Sequence, residues 1–227
     1  MHVSNIFAVY KPVEMTSHDV VNAVRRKTGV KRVGHGGTLD PLAEGVLVIA
    51  VGRENTKKLD QYVKGEKEYL ATLKLGFVSE TDDAEGPIHV YKSKLQDSSH
   101  SSNINIPNIR TIRVCIKKFT GQISQTPPLY SAIKVRGKPS HRRIRKGEKF
   151  ELESRMVEIK SIKVISYEYP ILELKIECGS GVYIRSLARD LGRELDTGAY
   201  LTKLIRTKVG EFSIDDVVVL EKLVARG

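Results

Sequence analysis

Gly34-His35-Gly36-Gly37-Thr38-Leu39-Asp40-Pro41-Leu42-Ala43-Glu44-Gly45 is the stretch from which the rest of the chain can be read. Its glycines free the backbone to turn tightly or to approach a ligand closely, and one His and one Asp are carried on that turn. Such a loop is built around a reacting group. Taken alone, Asp40-Pro41 also fits a helix N-cap followed by proline at the first helical position, a common structural use.

The flanks supply regular structure. Before the loop, Asn5–Tyr10 alternates as a short strand stopped by Lys11-Pro12, since proline cannot donate to a ladder. Ser17 offers an N-cap oxygen to an amphipathic helix with Val20, Val21 and Val24 on one face, ending at Gly29. After the loop, Val46–Val51 reads as a buried strand and Glu54–Val63 as a helix with Leu59 and Val63 on its inner face. Tyr69–Phe77 alternates as a half-buried strand. Ser79–Gly86 is an acidic turn whose aspartates bond their own backbone, and 93–108 is polar enough for a mobile loop. Ile109, Ile112, Ile116 and Phe119 recur at helical spacing. Strands are expected at Tyr130–Val135, Val157–Tyr167 and Ile171–Cys178. Helices are expected at Tyr183–Leu195 and Ala199–Thr207, followed by a strand at Val209–Phe212 and a closing helix from Asp215. Strands and helices mixed without regular βαβ alternation predict an α+β fold around a largely antiparallel mixed sheet flanked by helices.

Composition narrows the partners. The 227 residues carry 38 Lys and Arg against 27 Asp and Glu, a net charge of +11 with no basic tail, which points to a polyanion and first to nucleic acid. Much of the excess lies between Lys134 and Lys149, where Lys134, Arg136, Lys138, Arg142, Arg143, Arg145, Lys146 and Lys149 face only Glu148. Phosphate contact is the functional reading of that segment, and a solvated basic loop the alternative. No apolar run reaches the length of a membrane span and no signal peptide opens the chain, so a cytosolic protein is expected. Cys115 and Cys178 lack metal or redox spacing and are expected as reduced thiols, and the six histidines are scattered without ligand spacing. Phosphate loops of the G-x-x-x-x-G-K type and G-x-S-x-G elbows are missing, which counts against nucleotide hydrolysis and serine hydrolase chemistry.

The order Gly34 to Gly45 resembles the G-H-x-G-T-L-D-P-x-A-x-G signature of the TruB family, the tRNA pseudouridine-55 synthases. Further likenesses run along the chain. Tyr10-Lys11-Pro12 with Met15-Thr16-Ser17 is similar to the family's K-P-x-G-M-T-S, with Glu14 where glycine is usual. Lys67-Glu68-Tyr69 resembles K-x-Y, Thr81–Gly86 resembles T-x-D-A-E-G, and Pro127–Val135 resembles P-P-x-Y-S-A-x-K-V. Gly181–Gly192 resembles G-T-Y-I-R-x-L-x-x-D-L-G, and Gly198-Ala199-Tyr200-Leu201 with Leu204–Gly210 resembles the last motif. Tyr200 stands where many relatives carry His, and His141-Arg142-Arg143-Ile144-Arg145 replaces the usual Y-E-L-A-R. The chain stops at Gly227 where many relatives continue into a PUA-type domain, so one catalytic domain over 1–227, with a thumb-like basic segment around 134–150 and without that domain, is expected.

The resemblance implies the pseudouridine synthase fold and an isomerase acting on uridine 55 of the tRNA T-loop. It implies Asp40 as the catalytic carboxylate, Tyr69 stacked on the flipped base, and Arg185 as the guanidinium set against the Asp. His35 is implied near the opened RNA stack and Tyr183 and Leu201 as pocket walls, while Lys134, Arg142, Arg143 and Arg145 would meet RNA phosphates. Pseudouridylation breaks N1–C1′ and forms C5–C1′ with no redox change, so no cofactor and no metal is expected. The carboxylate can attack the sugar or the base, or stabilise positive charge at C1′, and each role needs it ionised and poorly hydrated. The expected partner is the tRNA T-arm, bound by a monomer away from membranes. Two other readings stand beside this one: a guide-RNA-dependent synthase acting on rRNA, and a catalytically silent tRNA-binding or tRNA-folding protein.

Overall fold

The computed structural model describes residues 5–93, 106–131, 133–135, 138–144, 147–148 and 150–222. In chain order the elements are β1 (Ile6–Lys11), α1 (Ser17–Thr28), β2 (Val33–Gly36), β3 (Ala43–Val51), α2 (Arg53–Val63), β4 (Lys67–Leu75), β5 (Phe77–Ser79) and β6 (Ile88–Val90). They continue as α3 (Ile109–Lys117), β7 (Gly121–Gln125), β8 (Lys134–Val135), β9 (Lys138–Pro139), α4 (Ser140–Ile144), β10 (Arg155–Glu168), β11 (Ile171–Cys178), α5 (Ile184–Glu194), β12 (Ala199–Val209) and β13 (Phe212–Ser213). Two compact units result. One takes residues up to Leu70, Ile176–Ser180 and residues from Lys203 on; the other takes Ala71–Lys175 and Gly181–Thr202.

The first unit is organised by β3. A strand sends successive side chains to opposite faces, and β3 spends both faces on apolar residues. Leu47 and Ile49 join Phe7 and Val9 of β1 and Val20, Val21 and Val24 of α1 in one core, while Val46, Val48 and Ala50 join Leu59 of α2 and Val209 in the other. β1 runs antiparallel along β3 from Ile6↔Ala50 to Lys11↔Gly45. The other edge of β3 is shared: β12 lies parallel to Ala43–Gly45 and β2 antiparallel to Val48–Val51. The order β1-β3-β12-β4-β11, with β13 on β12, makes this a mixed sheet.

Ends of elements follow local chemistry. Thr16, rather than the expected Ser17, is the N-cap of α1: its hydroxyl accepts from the Asp19 N–H while Asp19 reaches back to the Thr16 N–H, a capping box. Gly29 closes the helix in the left-handed conformation at φ 68°.

In the second unit the sheet runs β12-β4-β11-β10-β7, and α3 packs against β10 and α5. β4 buries alternate residues, including Ala71, Leu73 and Leu75, and Val157 and Ile159 do the same in β10. β5–β6 and β8–β9 are separate hairpins. β7, which the sequence reading lacks, pairs antiparallel with β10 from Gln125↔Arg155 to Gly121↔Ile159.

Four expectations are corrected. Ala199–Thr207 is not a helix but most of β12, an interior strand between β3 and β4; its buried residues Ala199, Tyr200, Leu201, Leu204, Arg206 and Val209 do not keep to one face, so the strand lacks the alternation of period two and imitates helical spacing. The strand expected at Val209–Phe212 is the turn between β12 and β13. The closing helix is two 3-10 turns, Ile214–Asp216 and Leu220–Lys222. Among the described residues of Tyr130–Val135, only Lys134–Val135 is a strand. The loop expected over 93–108 lies largely outside the described residues.

Gly45 carries a severe constraint. Its φ is 107°, and a Cβ there would lie 2.3 Å from the Arg206 carbonyl oxygen on the neighbouring parallel strand. Gly45→Ala is therefore expected to cost about 2–3 kcal/mol or more, a drop in Tm of about 5 °C or more. Thermal unfolding checks this, and a Tm within about 1 °C of wild type would contradict it.

Candidate active site

In the first unit the main chain on both sides of Asp40 is gripped from outside the turn. The Ser17 hydroxyl donates to the Leu39 carbonyl at 3.0 Å and accepts from the Leu39 N–H at 2.9 Å. On the far side the Pro41 carbonyl accepts from the Glu14 N–H at 2.9 Å and from the Lys11 ammonium at 3.4 Å. Lys11 is fully buried and also donates to the carbonyls of Pro12 and Met15. Glu14 pays for this arrangement, with φ at 66°, about 1–2 kcal/mol less favourable for a side-chain-bearing residue. That is a physical reason for the glycine in the motif this stretch resembles. The Ala43 N–H returns to the Asp40 carbonyl at 3.0 Å and closes the turn.

Tyr69 belongs to the same unit. It lies on the buried face of β4 beside Lys67, and burial pushes its phenol above the usual tyrosine range. The guanidinium of Arg206 works against that rise, and the charge of Asp40 adds to it. At neutral pH the group is a protonated phenol, able to give or accept a hydrogen bond. Lys67 donates to the carbonyls of Val63 and Gly65 and to the Ser180 hydroxyl, capping the end of α2 with positive charge where the helix dipole favours it. Burial, then Arg206, lower its pKa. Cys178 is fully buried, and burial pushes its thiol to about 12, so it stays a thiol. His35, in β2, is held below its usual pKa by burial, with Arg206 and His18 adding to the effect, and its Nδ1 is buried without a hydrogen-bond partner among the described residues.

Arg206 was not among the residues singled out from sequence. It is 1% exposed; its Nε donates to the Val46 carbonyl at 2.8 Å and its second terminal nitrogen to the Gly37 carbonyl at 2.8 Å. The signal available was its place between Leu204 and Val209 on what the structure makes a buried strand.

In the second unit a buried carboxylate organises the remaining candidates. Asp83 is completely buried; it accepts from the Thr81 hydroxyl and the Glu85 N–H through one oxygen and from Arg185 at 3.2 Å through the other. Arg185 also donates to the carbonyls of Thr81 and Tyr130. The Asp82 carbonyl receives the Leu201 N–H, so the same turn fixes a second candidate residue, itself fully buried. Tyr183 is the N-cap of α5, and the Gln125 amide brackets its peptide, donating to its carbonyl and accepting from its N–H. The acidic turn is thus structural, as expected, although Asp83 and Asp82 spend their charge on Arg185 and Arg189 as well as on the local backbone.

The basic segment is described only in part. Arg143 donates to Glu148 at 2.6 Å, and its guanidinium lies 4.8 Å from the centre of the Phe150 ring. The side chains of Lys134 and Arg142, and all of Arg145, lie outside the described residues.

Comparison with known proteins gives consistent results. The family description "TruB family pseudouridylate synthase (N terminal domain)" matches residues 25–184, and "tRNA pseudouridylate synthase B C-terminal domain" matches 185–226. A protein of Corynebacterium diphtheriae named tRNA pseudouridine synthase B is 44% identical, over 97% of this chain and 72% of its own length. Proteins of the same name from Clostridium tetani and Desulfotalea psychrophila are 41% and 40% identical, over 97% and 95% of this chain and 73% and 85% of theirs. Among solved structures, a chain of a Cbf5-Nop10-Gar1 complex superposes with a TM-score of 0.71 at 28% identity, covering 96% of this chain and 53% of that one. A chain of an H/ACA ribonucleoprotein bound to a substrate RNA containing 2′-deoxyuridine gives 0.67 at 25%, covering 96% and 51%. This chain spans about half the length of those two.

The ion pair of Asp83 with Arg185 is buried on both sides, and removing one partner leaves an uncompensated charge inside. Asp83→Ala is expected to lose about 3–5 kcal/mol of stability, measurable by urea unfolding. A loss under about 1 kcal/mol would place this pair in the same class as exposed ion pairs.

Proposed function

The chain belongs to the TruB family of pseudouridylate synthases, and from that premise we propose that it isomerises uridine 55 in the T-loop of tRNA to pseudouridine. The observation that carries the site assignment is a carboxylate on a turn clamped on both sides, within electrostatic reach of a buried tyrosine. A rigid carboxylate and a neutral phenol suit a reaction in which one bond is exchanged for another without a change of oxidation state.

Uridine stacked in folded RNA cannot reach a half-buried carboxylate, so the nucleotide must be flipped out, at a cost of a few kcal/mol. Asp40 then attacks the sugar or the base, or stabilises positive charge at C1′, while N1–C1′ breaks. The base turns and C5–C1′ forms; C5 gives up its proton and N1 takes one, so substrate and product are isomers. Tyr69 stacks on the flipped uracil and serves as the group that moves a proton. The resemblance gives Arg185 the part of favouring the ionised carboxylate, a role suited to a planar guanidinium, although the ion pair described for it is with Asp83. His35 stands at the opened RNA stack, and Tyr183 and Leu201 wall the pocket. Lys134, Arg142, Arg143 and Arg145 meet phosphates of the T-arm, binding that weakens as salt rises. The protein would work as a monomer in the cytoplasm. The guide-RNA-dependent reading has weaker support, because the relatives named tRNA pseudouridine synthase B are far more similar in sequence than the solved chains of Cbf5 and H/ACA assemblies.

Asp40→Asn tests the assignment. The amide can neither act as an anionic stabiliser nor attack as a carboxylate does, while phosphate contacts that dominate affinity remain. No pseudouridine is expected, with tRNA affinity within about threefold of wild type. Turnover by the variant, once mass spectrometry has excluded deamidation back to Asp, would overturn it.

A further inference from the structure

A guanidinium taken out of water costs several kcal/mol unless oxygen atoms surround it. Arg206 meets that demand with main-chain carbonyls. The two carbonyls it holds belong to Gly37 and Val46. These residues stand at the two ends of the segment that carries Asp40: one precedes it by three positions, the other follows it by six. The planar fork therefore closes the base of the turn as a staple closes a loop. It lies close against that turn, since a Cβ on Gly37 would come within 3.3 Å of its other terminal nitrogen. Its charge is felt by Tyr69, Lys67 and His35.

We propose that Arg206 is a positioning residue for the isomerisation, its guanidinium stapling the two ends of the Asp40 turn and setting that turn beside Tyr69. Lysine keeps the charge but gathers its donors on one nitrogen, whereas the guanidinium reaches the two carbonyls from separate nitrogens held in a fixed plane. Glutamine keeps one pair of donors and loses the charge. The inference rests on Asp40 and Tyr69 being the reacting pair.

Arg206→Lys and Arg206→Gln are tested by steady-state kinetics on tRNA and by amide hydrogen exchange of the free protein. The staple predicts that kcat falls about tenfold to a hundredfold in both, with KM within about threefold, because misplacing reacting groups by an ångström costs rates of that order. It also predicts faster exchange confined to residues 38–45. A merely structural arginine would lower Tm and raise exchange throughout the unit without splitting kcat from KM. Should either variant fail to fold, Gly37→Ala presses on the same guanidinium from the turn and is expected to show the same local exchange and loss of kcat. A folded Arg206→Lys protein with wild-type kcat, or with unchanged exchange over 38–45, overturns the proposal. Exchange is read without RNA, so the staple can fail while the functional reading stands. Failure of the wild-type protein to isomerise tRNA would sink that reading instead.

Discussion

A buried cation must be surrounded by oxygen, and in the first unit that requirement shapes the turn that carries Asp40. Lys11 draws in the carbonyls of Pro12, Met15 and Pro41; Arg206 draws in those of Gly37 and Val46. Each carbonyl is fixed because an ammonium or guanidinium left short of acceptors would destabilise the interior by several kcal/mol. A loop of glycines, free by its own chemistry, becomes rigid through two side chains distant in sequence. Rigidity of this kind places a carboxylate through the main chain that carries it.

The second unit uses the opposite charge for the same end. Asp83, with no exposed surface, gathers the Thr81 hydroxyl, the Glu85 N–H and the Arg185 guanidinium, while the adjacent Asp82 carbonyl takes the Leu201 N–H. Arg185 and Leu201, which come from different elements, are referred to one turn. Both units thus build their candidate residues on a buried charge with several main-chain partners, an arrangement that tolerates little displacement.

Much of this was legible in the sequence. The alternation of Tyr69 to Leu75, the valine stripe of α1 and the glycine at its end were read from periodicity and capping alone, because each is a local effect. Asp40, Tyr69 and Arg185 came from the motifs. β12 reads as a helix because its buried residues, Ala199 to Leu201, Leu204, Arg206 and Val209, do not alternate as those of β4 do. β7 was missed because four of its five residues are not buried and it is defined by its partner β10 rather than by its own pattern. Arg206, Lys11 and Gln125 went unassigned for a related reason. Each is recognised by the main-chain groups it holds, and a one-dimensional pattern carries no trace of those partners.

The chemistry itself offers the most direct test. When C5 of uracil becomes bonded to C1′, the hydrogen on C5 must leave for solvent. An unmodified tRNA transcript labelled with tritium at C5 of its uridines, incubated with the purified protein, should release one equivalent of tritium per tRNA. Replacing the nucleotide at position 55 by cytidine should abolish that release. No release from the uridine transcript, or release that persists after the replacement, would contradict the assignment of this chain to uridine 55 of tRNA.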